Sequence, residues 1–224
     1  MSTRSNHLDN PTVRRLLEAA EQEFAQRGFA GARVDGIAAR ARMAKSHVYY
    51  HFESKQRIFD DLVSLRLREI LAAKEALATG IEALEHETLS RFLRRAVDEL
   101  IVPRAAFIRI VLLESLGAGE AKARHAEPLL MRVLRPVLED SLRRFEALGY
   151  EVEREDFLSD LFHFGLLPTV LHVALGDRWA KAAGIAPARA HELFLSRLVQ
   201  LQSLNVEHLP RTKRGKSRPG RRKS

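Results

Sequence analysis

Residues 45–55, KSHVYYHFESK, include side chains that could bind either a metal ion or a nucleic acid. His47 and His51 are four residues apart, so on a helix they lie on one face, with the spacing of a zinc-binding pair. Zinc needs at least a third ligand, and the only acid nearby, Glu53, points to another face of such a helix. Val48 also occupies the position that holds glutamate in a HExxH motif. We therefore predict that this segment binds no metal.

The same segment interleaves basic and aromatic side chains, as a helix that docks on DNA does. Val48 and Phe52 are four residues apart and apolar, so they are expected to face a core. The polar residues around them cannot all be buried with them. Lysine can donate hydrogen bonds to guanine O6 and N7, and tyrosine hydroxyls suit phosphate oxygens. The pattern therefore favours DNA contact over metal binding.

The elements that would position this segment are helices. Asn10-Pro11 is a strong helix start, and Gly28 can end that helix in a left-handed conformation. A short amphipathic segment, a tight turn and the segment 45–55 follow, and Ser54 can cap the next helix. Helices of about 18, 8 and 7 residues, with a tight turn between the last two, are typical of a helix-turn-helix.

The rest of the chain also shows helical periodicity, so the predicted fold class is all-α. Pro168 lies inside a predicted helix and is expected to kink it, which frees the carbonyl of Phe164. After the helix that Ser54 caps, further helices are predicted at about 88–101, 103–117, 126–148, 155–176 and 187–204.

Composition limits the possible partners and compartments. The net charge is +8, and the last 14 residues carry eight Lys or Arg and no acid. Such a tail is expected to be disordered and to attract a polyanion. The absence of cysteine, of an apolar leader and of an evident run of about 18 apolar residues favours a cytoplasmic chain that does not enter a membrane. We find no nucleophile–base pair, phosphate loop or cofactor motif, so an enzyme is not expected.

Residues 20–63 resemble the TetR (tetracycline-repressor-like) family of transcription regulators. The match runs in register through Phe24, the Gly28-Phe29 pair, the Ile37-Ala38 pair, the segment Val48-Tyr49-Tyr50-His51-Phe52 and Lys55. Two positions depart from the pattern. Ala32 stands where the family usually has a capping Thr or Ser, and Arg42 stands in the turn where the family often has Gly. Arg42 would be strained by about 1 kcal/mol if that position needs a positive φ.

The resemblance implies a three-helix DNA-binding domain over residues 9–54, a connecting helix over 55–79, and a C-terminal helical bundle for effector binding and dimerisation over 80–206. Residues 207–224 would be the disordered basic tail. The partners implied are a double-stranded DNA operator, a small-molecule effector of unknown identity and a second copy of the chain, bound through helices about 155–176 and 187–204. The DNA contacts implied are Arg33, Lys45, Ser46, His47, Tyr49, Tyr50, His51 and Lys55.

The body contains polar residues in apolar surroundings, which can be either satisfied core groups or parts of a ligand pocket. Arg109 and Glu114 lie in the apolar segment 103–117, and His163 and His172 lie in the segment around Pro168. These four residues are our sequence candidates for effector binding. The two histidines are nine residues apart, so they face opposite sides of a helix and cannot share a metal.

The most economical interpretation is a ligand-responsive, homodimeric transcription regulator, most simply a repressor that an effector releases from a palindromic operator. The alternative is an architectural, nucleoid-type DNA-binding protein with little sequence preference, which would use the basic tail. A ratio of specific to non-specific affinity near one would favour the alternative.

Overall fold

The computed structural model describes residues 7–117 and 128–211, and within these ranges the chain is built from helices without a β-strand. The predicted all-α fold is therefore confirmed. Most of the basic tail predicted for 207–224 lies outside the described residues. The helices are α1 (Pro11–Gly31), α2 (Val34–Ala41), α3 (Lys45–His51), α4 (Lys55–Ala78), α5 (His86–Arg95), α6 (Ala105–Gly117), α7 (Leu129–Ala147), α8 (Arg154–Asp160), α9 (Leu167–Ala182) and α10 (Pro187–Glu207).

The helix starts and stops near α1 and α4 follow the cap chemistry of the sequence. The Asn10 side chain accepts a hydrogen bond from the backbone N–H of Thr12 at 2.8 Å, with Pro11 as the first helical residue. Gly28 adopts φ 66°, which breaks α1 and leaves one short turn after it. The Ser54 hydroxyl accepts from the N–H of Arg57 at 3.1 Å at the start of α4. These three predictions are confirmed.

One apolar core runs without a break from the helix-turn-helix into the body. Helices α1 to α4 bury large side chains against one another, and α6 adds Phe107 and Ile110 to the same cluster. The apolar segment 103–117 is nevertheless buried on one face only, since Leu113 is 53% exposed and Leu116 is 84% exposed. Fully buried members of this core include Leu16, Leu17, Phe24, Ile37, Val48, Phe52, Ile58, Leu62, Leu65, Phe107 and Ile110.

Two prolines each follow a π-helical segment at the same offset. Residues Ala96–Ile101 and Leu161–Leu166 are π-helical, and Pro103 and Pro168 lie two residues beyond their ends. A proline ring clashes with the carbonyl four residues earlier, and the helix responds by widening to bonds five residues apart. The N–H of Leu167 accordingly donates to the carbonyl of Phe162.

The carbonyl that Pro168 frees finds a partner from another helix. The side-chain Nε2 of Gln202 in α10 donates to the carbonyl of Phe164 at 3.0 Å. The predicted loss of the helical partner of Phe164 is therefore confirmed, and the structure adds the residue that replaces it. This bond joins the widened segment to α10.

The turn between α2 and α3 places a non-glycine residue in the left-handed region. Arg42 has φ 54° and ψ 47°. Its N–H donates to the carbonyl of Ala39 at 3.1 Å, and the N–H of Met43 donates to the carbonyl of Ala38 at 3.0 Å, which together form a Schellman motif. The positive φ expected at this position is therefore present.

We predict that Arg42→Gly stabilises the protein. Relief of the left-handed strain outweighs the extra entropy of glycine in the unfolded chain, for a net gain of about 0.5–1 kcal/mol. Urea denaturation of the full chain measures this gain. Arg42→Ala removes the same exposed side chain but keeps the strain, so it should not reproduce the gain. An equal gain from both variants would contradict the strain argument.

Candidate nucleic-acid interface and cavity

Helix α3 presents one buried face and one exposed polar face. Val48 is fully buried and Phe52, which follows the helix, is 1% exposed. Tyr50 is 82% exposed and Tyr49 is 49% exposed. The other exposed side chains of α3 are those of Lys45, Ser46 and His47, whereas His51 is partly buried. The apolar pair thus fixes which side of α3 faces outward, as predicted.

The positive charge of Lys45 on this face is paired within the chain. The Lys45 ammonium lies 2.8 Å from the Asp35 carboxylate of α2, and this hydrogen bond raises the pKa of Lys45. Arg33, at the start of α2, is exposed and makes no side-chain cap for that helix. A phosphate or base edge that binds Lys45 must therefore compete with Asp35 or share the lysine with it.

The two histidines of α3 form a stacked pair without a third ligand. The rings of His47 and His51 have centroids 5.5 Å apart and an interplanar angle of 28°. Burial, together with the neighbouring charges of His47 and His7, lowers the pKa of His51 and favours its neutral form. Within residues 7–117 and 128–211, no group of three His, Cys, Asp or Glu side chains is placed to hold a metal ion.

A buried carboxylate of α1 contacts α2. Glu23 is 2% exposed, and it accepts from Arg40 at 2.8 Å and pairs with Arg27 at 3.1 Å. Its oxygen lies so close to Gly36 of α2 that a Cβ there would stand only 2.5 Å from it. Glycine is needed at this position because the carboxylate occupies the space of a side chain.

The Lys55 side chain bonds to the backbone at the end of α1. Its ammonium donates to the carbonyls of Phe29 at 2.7 Å, Ala32 at 3.0 Å and Ala30 at 3.3 Å. It also lies 4.7 Å from the centre of the Phe29 ring. These contacts hold the start of α4 to the end of α1. The structure thus gives Lys55 a positioning role, and its predicted contact with a DNA phosphate stays a prediction.

Glu114 connects α6 to Phe29, whose carbonyl accepts the hydrogen bond from Lys55. Its Oε1 accepts from the backbone N–H of Phe29 at 2.8 Å, directly after the left-handed Gly28. The Phe29 peptide is therefore bonded to a carboxylate from α6 and to the ammonium of Lys55. We call this arrangement the Phe29 junction.

A cavity of about 170 Å³ lies in the body between α4, α5, α6, α7, α9, α10 and the two π-helical segments. Its wall is almost entirely apolar. Helix α6 contributes Phe107, Ile108 and Val111 to it. The polar side chains of the lining are Lys74, Arg104, Ser141, Thr169 and Gln202.

None of the four residues that the sequence suggested for effector binding lines this cavity. Arg109 is exposed, and Glu114 points to the Phe29 junction. His163 is exposed and bonds the carbonyl of Ser159 at 2.9 Å. His172 bonds His191 at 2.9 Å and stacks on the Phe194 ring at 4.0 Å. The geometry therefore does not support that assignment, because a polar residue in an apolar helix can face a neighbouring helix or solvent instead.

The polar groups that do line the cavity were missed. Lys74 and Arg104 lie in charged or mixed stretches of sequence that give no sign of burial. One signal was available for Gln202, because the carbonyl freed by Pro168 needed a donor from another element. Gln202 is that donor, and it also lines the cavity.

Helices α9 and α10 leave an apolar face exposed. Trp179 is 58% exposed, Leu175 is 50% exposed and Leu204 is 48% exposed. We define the exposed apolar face by its large members, which recur at helical spacing: Phe164, Leu171, Leu175, Trp179, Leu193, Leu201 and Leu204.

Part of this face belongs to a long apolar helix. The continuous helical stretch 154–182 is long and apolar enough to cross a membrane by length and composition alone, although the sequence had suggested no such run. One such helix is weak evidence for a membrane span, because a core helix passes the same test.

Comparison with known proteins finds transcription regulators and repressors. Residues 16–62 match the family model described as bacterial regulatory proteins, tetR family. The chain is 29% identical over 117 residues to the HTH-type transcriptional repressor SCO4008 of Streptomyces coelicolor, which covers 51% of this chain and 55% of that protein. It is 27% identical over 130 residues to the HTH-type transcriptional repressor NicS of Pseudomonas putida, covering 55% and 60%. These alignments thus span little more than half of each relative.

The fold is shared over nearly the whole chain. A transcriptional regulator from Rhodococcus sp. Rha1 superposes with a TM-score of 0.60 at 19% sequence identity, covering 88% of this chain and 97% of that one. At this identity the likeness concerns the fold alone. The family model thus matches the N-terminal helices over residues 16–62, while the likeness of the fold extends into the body.

We predict that Lys55→Met destabilises the protein by about 2–3 kcal/mol, because three backbone carbonyls lose a charged donor. Lys45→Met is the matched control, since its lysine pairs with one exposed carboxylate, and it should leave the denaturation midpoint almost unchanged. Urea denaturation measures both. A Lys55→Met protein with unaltered stability but weaker DNA binding would instead favour the phosphate contact.

Proposed function

We propose that this chain, whose residues 16–62 match the family model of TetR bacterial regulatory proteins, is a transcription regulator of that family that binds a palindromic DNA operator as a homodimer. The observation that carries this proposal is the exposed polar face of α3. Its outward side chains include Lys45, His47 and Tyr50, and its inner face is fixed by Val48 and Phe52. A helix so fixed on a helix-turn-helix can enter the major groove with its side chains toward base edges.

The proposed DNA contacts fall into two kinds. Lys45, Ser46 and His47 lie in the first turn of α3, where side chains of a recognition helix meet base edges. Tyr49, Tyr50, His51 and Arg33 are placed around this turn and are assigned to phosphates or groove edges. Lys55 is assigned to support of this surface, through the Phe29 junction.

The proposed dimer forms through the exposed apolar face of α9 and α10. These two helices pack against each other and lie at the positions expected for dimerisation. Exposed leucines and a tryptophan at helical spacing are typical of a helix face that a partner covers. A second copy of the chain supplies the same face, as a two-fold axis requires.

The proposed regulation couples the cavity to the DNA-binding helices through α6. This helix lines the cavity with Phe107, Ile108 and Val111 and reaches the Phe29 junction with Glu114. A ligand that fits the cavity better when α6 is shifted would disfavour the DNA-bound arrangement. Coupling of about 1–3 kcal/mol changes DNA affinity about 5- to 150-fold, which is sufficient for release of a repressor.

The DNA-binding proposal is tested by selecting bound DNA from a random pool with the full chain, followed by affinity measurements on the enriched site. We expect a palindromic sequence. Lys45→Ala/His47→Ala/Tyr50→Ala should remove the preference for that site, because Lys45 and His47, as base-reading residues, each contribute about 1–3 kcal/mol. The control Glu87→Ala/Arg91→Ala/Arg95→Ala changes three exposed residues of α5 and should bind normally.

Two outcomes would overturn the assignment. Normal operator binding by the folded α3 triple variant would show that α3 is not the reading helix. Failure of the wild-type chain to enrich any sequence, with a ratio of specific to non-specific affinity near one, would favour an architectural DNA-binding protein instead. The tail, with eight bases in its last 14 residues, supports that second candidate.

The dimer is tested separately by placing charges on the exposed apolar face. Leu171→Glu/Leu175→Glu should convert a dimer to a monomer, because burial of two carboxylates at the interface is costly. Leu113→Glu on α6, where the leucine is 53% exposed, is the matched control and should remain dimeric. Light scattering coupled to size exclusion reads the mass, and a wild-type monomer would contradict the proposal.

A further inference from the structure

The polar groups of the cavity wall restrict which ligands the cavity can bind. The buried ammonium of Lys74 is already paired within the protein. Lys74 is 7% exposed, and its ammonium donates to Asp140 at 2.7 Å, to Ser141 at 2.6 Å and to the carbonyl of Val137 at 3.1 Å. An ammonium has three donors, and all three are used. Lys74 therefore offers a ligand neither an unpaired charge nor a free donor.

Two further polar side chains of the wall also donate hydrogen bonds within the protein. The Thr169 hydroxyl donates to the carbonyl of Gly165 at 2.7 Å. Gln202 donates to the carbonyl of Phe164 at 3.0 Å. Both bonds serve the π-helical segment that precedes Pro168. These side chains stabilise the wall, so they are not the main attraction for a ligand.

Arg104 is different. Its Nη1 donates to the carbonyl of Leu100 at 2.6 Å, but its buried Nε has no hydrogen-bond partner within residues 7–117 and 128–211. No carboxylate of the described residues lies within ion-pair distance of its guanidinium, whereas Arg94 and Arg95 nearby are each paired with a glutamate. A buried donor and a charge without an anion both cost free energy until a partner supplies an acceptor.

The position of Arg104 suits a ligand rather than a protein partner. It lies in the turn Val102–Arg104 directly after the first π-helical segment. Single-turn π-helical segments occur often at functional sites, and both such segments here line the cavity. The bond from Nη1 to Leu100 leaves the Nε edge of the guanidinium for another acceptor. That edge can bind a carboxylate through two parallel hydrogen bonds.

We infer that the effector is an apolar compound that ends in a single carboxylate, which Arg104 binds while the hydrocarbon part fills the cavity. This inference rests on the proposed function, since it names the ligand class of the regulatory cavity. An amine is disfavoured because the described residues that line the wall include no aspartate or glutamate. A ligand with several polar groups is disfavoured because, among the described residues of the wall, the Nε of Arg104 is the one buried donor without a partner.

The test compares straight-chain carboxylic acids with primary alcohols of the same chain length, by calorimetry on the full chain without DNA. We expect the acids to bind at least about tenfold more tightly, as one charge-assisted hydrogen bond provides. Arg104→Gln should abolish this preference. Arg104→Lys keeps the charge but loses the planar fork, so it should retain part of it. Arg109→Gln changes an exposed arginine of α6 and should bind as wild type.

Equal binding of acids and alcohols by the wild-type chain would overturn the inference. An acid preference that survives in folded Arg104→Gln would overturn it as well, and thermal melts establish that the variant is folded. The operator measurement is made separately with the same acids. Acids that bind through Arg104 without changing operator affinity would support the ligand class while refuting the proposed regulation.

Discussion

The peptide group of Phe29 is the point on which three parts of the molecule depend. Its N–H donates to Glu114 of α6 at 2.8 Å, and its carbonyl accepts from Lys55 of α4 at 2.7 Å. Gly28 makes this possible, because its positive φ turns the next N–H out of the α1 hydrogen-bond ladder. Both polar groups of this partly buried peptide are satisfied by other helices, so movement of α6 or α4 would break a hydrogen bond at this junction.

The junction also explains why the N-terminal helices and the body share one core. Helix α6 packs against α1 and carries Phe107 and Ile110 into the cluster that contains Phe24. The same helix lines the cavity one and two turns before Glu114. Helix α6 therefore contacts both the cavity and α1, and the proposed coupling between them rests on these contacts.

The two π-helical segments that precede prolines both form part of the cavity wall. Pro103 and Pro168 each follow a π-helical segment, and the wider turn changes the register of the side chains beyond it. The freed backbone and side-chain groups are then satisfied by Gln202 and Thr169. Almost every polar group of the wall is paired in this way. Arg104 stands apart because the described residues provide no acceptor for its Nε.

The sequence by itself determined the helices, the helix-turn-helix and the outward face of α3. Asn10, Gly28 and Ser54 act through bonds to residues only a few positions away, so cap chemistry predicts them. The pair Val48 and Phe52 fixes the buried face of α3 by helical spacing alone. The freed carbonyl of Phe164 also followed from a local rule about proline.

Only the tertiary structure decided where the charged side chains of the longer helices point. Glu114 and Phe29 are 85 residues apart, and no local pattern reveals that they meet. Lys55 and Lys74 read as surface lysines, yet carbonyls and a carboxylate from distant segments surround them. The proposed ligand contact of Arg104 depends on the lack of an acceptor for its Nε among the described residues. Such partnerships are set by the packing of whole helices, whereas helix boundaries and faces are set by neighbours along the chain.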